Sequence, residues 1–238
     1  MNKVVVIIPL YKPQLDDFET LSFLHNVNIL KLHRIIAVCP KGLDVSFYKS
    51  IAPEVSYCEF KERDFSSVKK YNRLLISPRF YKQFSGYEYM LICHFDAWVF
   101  QNTLSEWCDK QYDYIGAPFL KPFFGKTSTL LPFLSTICIN KIGNGGLSLR
   151  KISTHIKITE RLWWLRWIYF YNEDVFFTLF PPLVLRRYCR PSLDEANRFA
   201  IEHYPEECMS QLEGALPFGC HGWFKKDFEF WSKYVNQS

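Results

Sequence analysis

At 238 residues the chain is long enough for one domain with a full core, or one domain with a sizeable insertion. Its net charge of +5 is modest and no block of Lys and Arg resembles a nucleic-acid arm, so the balance fits an anionic small ligand or an anionic membrane surface instead. The eight cysteines show neither CxxC nor zinc spacing, no apolar run is long enough to span a bilayer, and the N-terminal apolar run is too short for a signal peptide; these features argue for a reducing, cytoplasmic location.

Val4 to Ile8 is a continuous β-branched run, which suits a central parallel strand buried on both faces. It ends in the loop Pro9-Leu10-Tyr11-Lys12-Pro13. Residues 15–30 read as a helix with acids near its start and Leu15, Phe18, Leu21, Phe23 and Leu24 as apolar positions. Arg34 to Cys39 and Val55 to Phe60 are the next strands. Asp64-Phe65-Ser66-Ser67 caps a helix that carries Lys69, Lys70, Tyr71, Asn72 and Arg73, and Pro78 starts another. Tyr87 to Phe95 is a fourth strand, running into Asp96. The alternation predicts an α/β fold with a doubly wound sheet and helices on both faces.

The second half is less regular. Tyr114 to Pro118 reads as a short strand and turn. Residues 119–140 carry no charge between Thr127 and Asn140 and read as a loop or lid. Leu147 to Arg150 follows Gly143-Asn144-Gly145-Gly146 as a strand. Residues 160–171, with Trp163, Trp164 and Trp167 among Arg161 and Arg166, are either a buried helix or a basic-aromatic surface that touches a membrane. Asn172-Glu173-Asp174 opens an apolar run that looks helical, with Asn172 at the cap position. His221 stands in a glycine-flanked turn, Gly219-Cys220-His221-Gly222.

Four stretches carry candidate chemistry. Asp96 ends an apolar strand, where open α/β sheets place their ligands, and a hard carboxylate there suits a divalent cation. The glycines of 143–146 allow a backbone to approach a ligand closely and to take positive φ. Glu173 and Asp174 sit at a helix start, a rigid mount for a carboxylate. His221 lies between glycines that permit close approach. Each also has a plain structural reading: a turn cap, a tight turn, first-turn acids that suit the helix dipole, and a core histidine.

The segments Val6 to Lys12, Asp96 to Phe100, Tyr112 to Pro118, Gly143 to Arg150, Asn172 to Phe177 and Pro217 to His221, in that order, resemble the GT-A class of nucleotide-sugar glycosyltransferases. The resemblance is strongest to an uncharacterised family of transferases found among bacterial surface-polysaccharide genes, such as those for lipopolysaccharide, O-antigen or capsule. It implies a single domain over residues 1–238, with a nucleotide-binding half at 1–100 and an acceptor-binding half at 101–238. It implies a hexosyl- or deoxyhexosyltransferase that uses a nucleoside-diphosphate sugar, UDP or dTDP in preference to GDP, and a glycan or lipid-linked glycan acceptor. Contact with the inner face of the cytoplasmic membrane would be peripheral.

By the same resemblance, Asp174 is the general base of an inverting displacement and Glu173 its neighbour on the acceptor; a retaining reaction would remove that role from Asp174. Pro9, Tyr11, Tyr71, Asn72, Asp96, Asn144, Gly145 and Gly146 would bind the nucleotide sugar. For Lys69 an ordinary solvated helix face is preferred. Asp96 and His221 would hold Mn²⁺ or Mg²⁺. The class usually offers Asp-x-Asp at this strand end; here the position two after Asp96 is Trp98, leaving one acid of the motif. Two other readings stay open: a catalytically inactive GT-A-like domain that binds glycan or a partner, and a nucleotidyltransferase. The loop Pro9 to Pro13 lacks the glycine-rich phosphate cradle the latter needs.

Overall fold

The computed structural model describes residues 2–121, 136–169 and 172–235. In chain order the elements are β1 (Asn2–Pro9), α1 (Asp17–Ile29), β2 (Arg34–Pro40), α2 (Ser46–Ile51), β3 (Ser56–Phe60), α3 (Val68–Leu75), α4 (Pro78–Lys82), β4 (Tyr87–Cys93), β5 (Ala97–Val99), α5 (Leu104–Asp109) and β6 (Tyr114–Gly116). They continue with β7 (Leu147–Lys151), α6 (Ile152–Arg161), α7 (Leu165–Ile168), α8 (Glu173–Leu179), α9 (Leu193–Phe199), β8 (Ala200–Ile201), α10 (Pro205–Gln211), β9 (Gly219–His221) and α11 (Phe228–Val235).

The main sheet has the order β3-β2-β1-β4-β7-β6. β1, β2, β3 and β4 are parallel, and β7 runs antiparallel to both of its neighbours. The chain winds outward from β1 to β3 and then returns to place β4 on the other side of β1. β1 and β4 therefore flank the switch point, where a ligand crevice forms outside the strand ends. The expected mixed α/β sheet, covered on both faces, is what the chain builds.

The β-branched run of β1 is used on both sides. Val4, Val6 and Ile8 pack into one core with Phe23, Val27 and Tyr48, whereas Val5 and Ile7 pack into the other with Leu74, Phe80 and Phe176. Burial of both faces is why the run does not alternate with polar residues. α1 begins with a capping box in which Glu19 N donates to Asp16 Oδ1 at 2.9 Å and Asp16 N donates to Glu19 Oε2 at 3.0 Å. Ser67 caps α3 through the Lys70 N–H.

A second sheet, β5-β9-β8, closes the carboxyl end of β4. Asn26 of α1 clamps it: its Nδ2 donates to Ala97 O at 2.8 Å and its Oδ1 accepts from Val99 N at 3.0 Å. Behind it lies a core of Trp98, Ile201, Cys220, Trp223 and Trp231.

Two expectations change here, and one open alternative narrows. The fourth strand stops at Cys93 rather than Phe95, because Ala97 N donates to His94 O at 3.0 Å and turns the chain into β5. Asn172 stands at the cap position of α8, yet its side chain does not cap the helix; its Oδ1 accepts from Asn72 Nδ2 at 3.3 Å. Of the stretch 160–171, the described residues 160–169 do not form a buried helix: α6 ends at Arg161, α7 is a single turn, and Trp163, Trp164 and Trp167 are exposed while Leu162 and Leu165 are buried. The lid expected at 119–140 lies largely at 122–135, outside the described residues. No helix among the described residues is long and apolar enough to cross a membrane.

Candidate active site

A cavity of about 520 Å³ opens where the carboxyl ends of β1 and β4 meet the Gly143–Gly146 loop and the start of α8. Its lining includes Pro9, Tyr11, Tyr71, Asn72, Asp96, Asn144, Gly145, Gly146, Glu173, Asp174 and His221. Each residue expected to bind nucleotide sugar, metal or acceptor thus faces one space. Lys69, which was read as solvated helix face, is not part of the lining.

On one side lies a cluster of imidazoles and carboxylates. The side chains of His94, Asp96 and His221 each present a ligand atom, all within 4.8 Å of one another. His221 Nε2 is 3.2 Å from Asp96 Oδ1, and His221 donates its Nδ1–H to Glu202 Oε1 at 3.2 Å. Lys225 Nζ is 3.0 Å from Asp96 Oδ2, and Lys226 pairs with Glu202. Burial alone would raise the Asp96 carboxyl, but His221, His94 and Lys225 hold it well below the usual carboxylate range. Burial would likewise lower His221, yet Asp96 and Glu202 lift it to about 9. Burial and the neighbouring His221 push His94 down to about 4, so its ring is neutral at pH 7.

These residues fit a divalent cation. His94 Nε2 is buried and has no hydrogen-bond partner among the described residues, and a buried polar atom left without one is costly unless something occupies it. Glu202 behind His221 fixes which ring nitrogen faces Asp96, the usual arrangement behind a ligating histidine. Two imidazoles and one carboxylate suit Mn²⁺ better than Mg²⁺, which prefers oxygen.

The opposite side is built around Arg150. Its guanidinium is fully buried and donates to Ser148 Oγ at 3.0 Å, to Tyr81 Oη at 3.0 Å and to Glu173 Oε1 at 2.8 Å. Glu173 Oε2 is buried without a partner among the described residues. Asp174 Oδ1 accepts from Val175 N at 2.7 Å. Burial and the adjacent Glu173 raise the Asp174 carboxyl to about 7.

Gly145 and Gly146 separate the two sides. Neither has positive φ; of the two roles expected of the 143–146 loop, positive φ falls to Gly143 alone, at 158°. Their role is close approach. A Cβ on Gly145 would lie 2.2 Å from Glu173 Oε1, and one on Gly146 would lie 1.9 Å from His221 Nε2. Asn144 Oδ1 accepts from Gly146 N at 3.1 Å, and His94 N donates to Gly146 O at 2.9 Å, which ties the loop to the end of β4.

The two expected cation ligands, Asp96 and His221, come together, and His94 joins them from two residues upstream of Asp96. Trp98, where the Asp-x-Asp pattern would place a second acid, is buried in β5 and stacked on His25 at 3.8 Å. The signal was present as His94-Phe95-Asp96 at a strand end. Glu202, Lys225, Lys226 and Arg150 were also missed. Glu202 arrives only through the parallel pairing of β8 with β9, in which Ile201 stands beside Cys220. The lysines arrive through the turn at Gly222, whose φ is 76°.

The model of a family described as a protein of unknown function, DUF5672, matches residues 54–221. A comparison with curated proteins finds no match. Three solved structures share the fold over nearly the whole chain. A mouse xyloside xylosyltransferase 1 aligns with a TM-score of 0.58 at 8% identity, covering 93% of this chain and 98% of that one. The galactosyltransferase LgtC, in complex with donor and acceptor sugar analogues, gives 0.55 at 10% identity over 98% and 95%. A glycosyltransferase involved in glycosylation of the major capsid of PBCV-1 gives 0.54 at 12% identity over 98% and 99%. The fold is that of the GT-A glycosyltransferases.

Proposed function

The chain belongs to the DUF5672 family, and from that premise and the geometry of its cavity we propose that it is a glycosyltransferase that moves a sugar from a nucleoside-diphosphate donor to a glycan acceptor. The observation that carries the reading is the Gly145–Gly146 ribbon, with a His94–Asp96–His221 cluster against one side and Glu173 against the other. A transferase needs those two chemistries on either side of one sugar: charge neutralisation at the leaving diphosphate, and a carboxylate at the acceptor.

In this reading residues 1–100 hold the nucleotide and 101–238 the acceptor. Pro9 and Tyr11 border the base; Tyr71 and Asn72 border the ribose and donor sugar. A divalent cation on His94, Asp96 and His221 would neutralise charge that develops on the diphosphate. Lys225 and Lys226 add positive charge at the same end. Glu173, pinned by Arg150, turns its free oxygen to a sugar hydroxyl. Asp174 removes the acceptor proton in an inverting displacement, for which one carboxylate suffices, whereas glycoside hydrolysis needs a flanking pair. The sequence resemblance extends the proposal to hexose or deoxyhexose transfer in surface-polysaccharide assembly, from UDP or dTDP donors.

The test is the thermal midpoint of the purified protein with UDP, dTDP, GDP or CMP, each with Mn²⁺ and with EDTA, since a ligand of the native state raises the midpoint. A shift with one diphosphate, abolished by EDTA, is expected. A shift that survives EDTA would discard the cation and leave Lys225, Lys226 and His221 to neutralise the diphosphate. No shift with any nucleotide would overturn the reading in favour of a binding module.

A further inference from the structure

The turn after α6 and the short helix α7 place an unusual set of side chains in solvent. Trp163, Trp164, Trp167 and Ile168 are 57%, 49%, 53% and 62% exposed, while Leu162 and Leu165 of the same stretch are buried and anchor it to the core. Positions 164, 167 and 168 share one helical face by their spacing. Arg73 and Arg166 stack on the Trp167 ring at 5.4 and 4.8 Å, so the aromatic turn is rimmed by guanidinium groups.

The same end of α6 carries a second basic feature. Lys157 and Arg161 form a groove with Val184, Leu185, Arg186 and Arg187, joined by the Arg161 Nη1 bond to Val184 O at 2.6 Å. Lys157, Arg161, Arg186 and Arg187 are exposed. Leu183, beside this groove, is 69% exposed. Glu160, an acid in the last turn of α6, is paired with Lys82 at 2.6 Å.

We propose that this face docks the protein on an anionic lipid surface, with the tryptophans in the headgroup layer and the arginines and lysine on its phosphates. Tryptophan favours the boundary between headgroup and acyl chain, because its ring is apolar and its N–H is polar. Basic side chains around it supply the electrostatic half of peripheral binding. The charge complementarity selects the occupant. A cluster of one sign with Glu160 already paired matches a plane of uniform negative charge, rather than a protein surface of mixed sign.

The orientation has a functional consequence that rests on the transferase reading. Arg73 belongs to α3, and Val68, 74% exposed, and Asn72 of the same helix line the cavity. Asn72 is bonded to Asn172 at the start of α8. The docking face therefore adjoins the rim of the cavity on the α3–α8 side, so an acceptor carried on a lipid would enter without leaving the membrane surface.

The experiment is co-flotation of the full chain with phosphatidylcholine vesicles, with and without phosphatidylglycerol, at low and high salt. Two variants accompany it: Trp163→Ser with Trp164→Ser, and Lys157→Glu with Arg186→Glu and Arg187→Glu. All five side chains are exposed, so both variants are expected to keep the parent thermal midpoint and its response to nucleotide. The parent is expected to float only with phosphatidylglycerol and to release in high salt, with each variant weakened about tenfold or more. Equal flotation with both vesicle types, no flotation, or variants that float like the parent would overturn the proposal. So would a self-associating parent that the tryptophan variant turns into monomer without any vesicle binding, because the face would then belong to a second copy. If vesicles bind but no nucleotide shifts the midpoint, the docking stands and the transferase reading falls.

Discussion

Arg150, with no exposed surface, donates its Nη2 to Glu173 Oε1 at 2.8 Å across 23 residues of chain. The pair joins β7, one strand in from the β6 edge of the sheet, to the first turn of α8, and so fixes a carboxylate in the wall of the cavity. Its cost is the desolvation of two charges, and its members are therefore not separable. Removing one leaves the other buried and unpaired. Glu173→Gln is expected to lower unfolding stability by about 3–5 kcal/mol, and Arg150→Met by a similar amount. The double variant Arg150→Met, Glu173→Gln should cost less than the sum of the two. Urea denaturation of the four proteins measures the coupling; additive losses would mean that the two groups do not depend on each other.

The glycine ribbon gives a sharper contrast. Gly146→Ala brings a methyl carbon to 1.9 Å from His221 Nε2, and Gly145→Ala brings one to 2.2 Å from Glu173 Oε1. Neither contact can persist, so Gly146→Ala must displace the imidazole and Gly145→Ala the carboxylate. Gly86→Ala meets nothing within 4 Å and serves as control. Gly146→Ala should weaken Mn²⁺ binding, read by calorimetry, while Gly86→Ala leaves it unchanged. Equal affinity in Gly146→Ala and the parent would remove His221 from the ligand set.

Much of this site could be read from the chain before its fold was known, and the parts that could not fail for identifiable reasons. β1 announced itself because a strand buried on both faces keeps only β-branched residues. Gly145 and Gly146 stood out because two adjacent glycines before a strand mark a close approach, although here the approach is to Glu173 and His221 and not a positive φ. Asp96 was legible as the acid that ends a strand. His94 was not. The Asp-x-Asp pattern implied by the resemblance led from Asp96 to Trp98; the turn closed by Ala97 N and His94 O sends Trp98 into the core behind α1. Glu202 carries no local signal at all, since only the pairing of β8 with β9 brings it to His221.

The His94–Asp96–His221 cluster predicts a preference among cations. Imidazole nitrogen suits a transition ion, whereas Mg²⁺ demands oxygen ligands and keeps its waters. Mn²⁺ should bind and Mg²⁺ should compete poorly, and His94→Ala should reduce Mn²⁺ affinity about tenfold or more, with the protein still folded. Electron paramagnetic resonance of added Mn²⁺ reads free against bound ion directly. Equal competition by Mg²⁺, or an unchanged affinity in His94→Ala, would exclude His94 as a ligand.

Asp174 supplies a pH dependence with a definite sign. Burial and Glu173 raise its carboxyl to about 7 in the folded chain, above its ordinary value of 3.8. A carboxyl raised by folding favours the protonated form, so the native state binds more protons than the unfolded one between those two values. Stability therefore falls as pH rises through that window, and the loss is complete above about 7. Asp174→Asn removes the titrating group while keeping its shape. Its thermal midpoint should exceed the parent's at pH 8 and approach it at pH 4. The same substitution should abolish transfer but preserve the nucleotide-induced shift, because the base acts on the acceptor and not on the donor. In the parent, transfer should rise with pH through about 7 as the carboxyl loses its proton. A midpoint difference that does not change with pH would show that Asp174 titrates in the ordinary range, and a full transfer rate in Asp174→Asn would take the general base away from this residue.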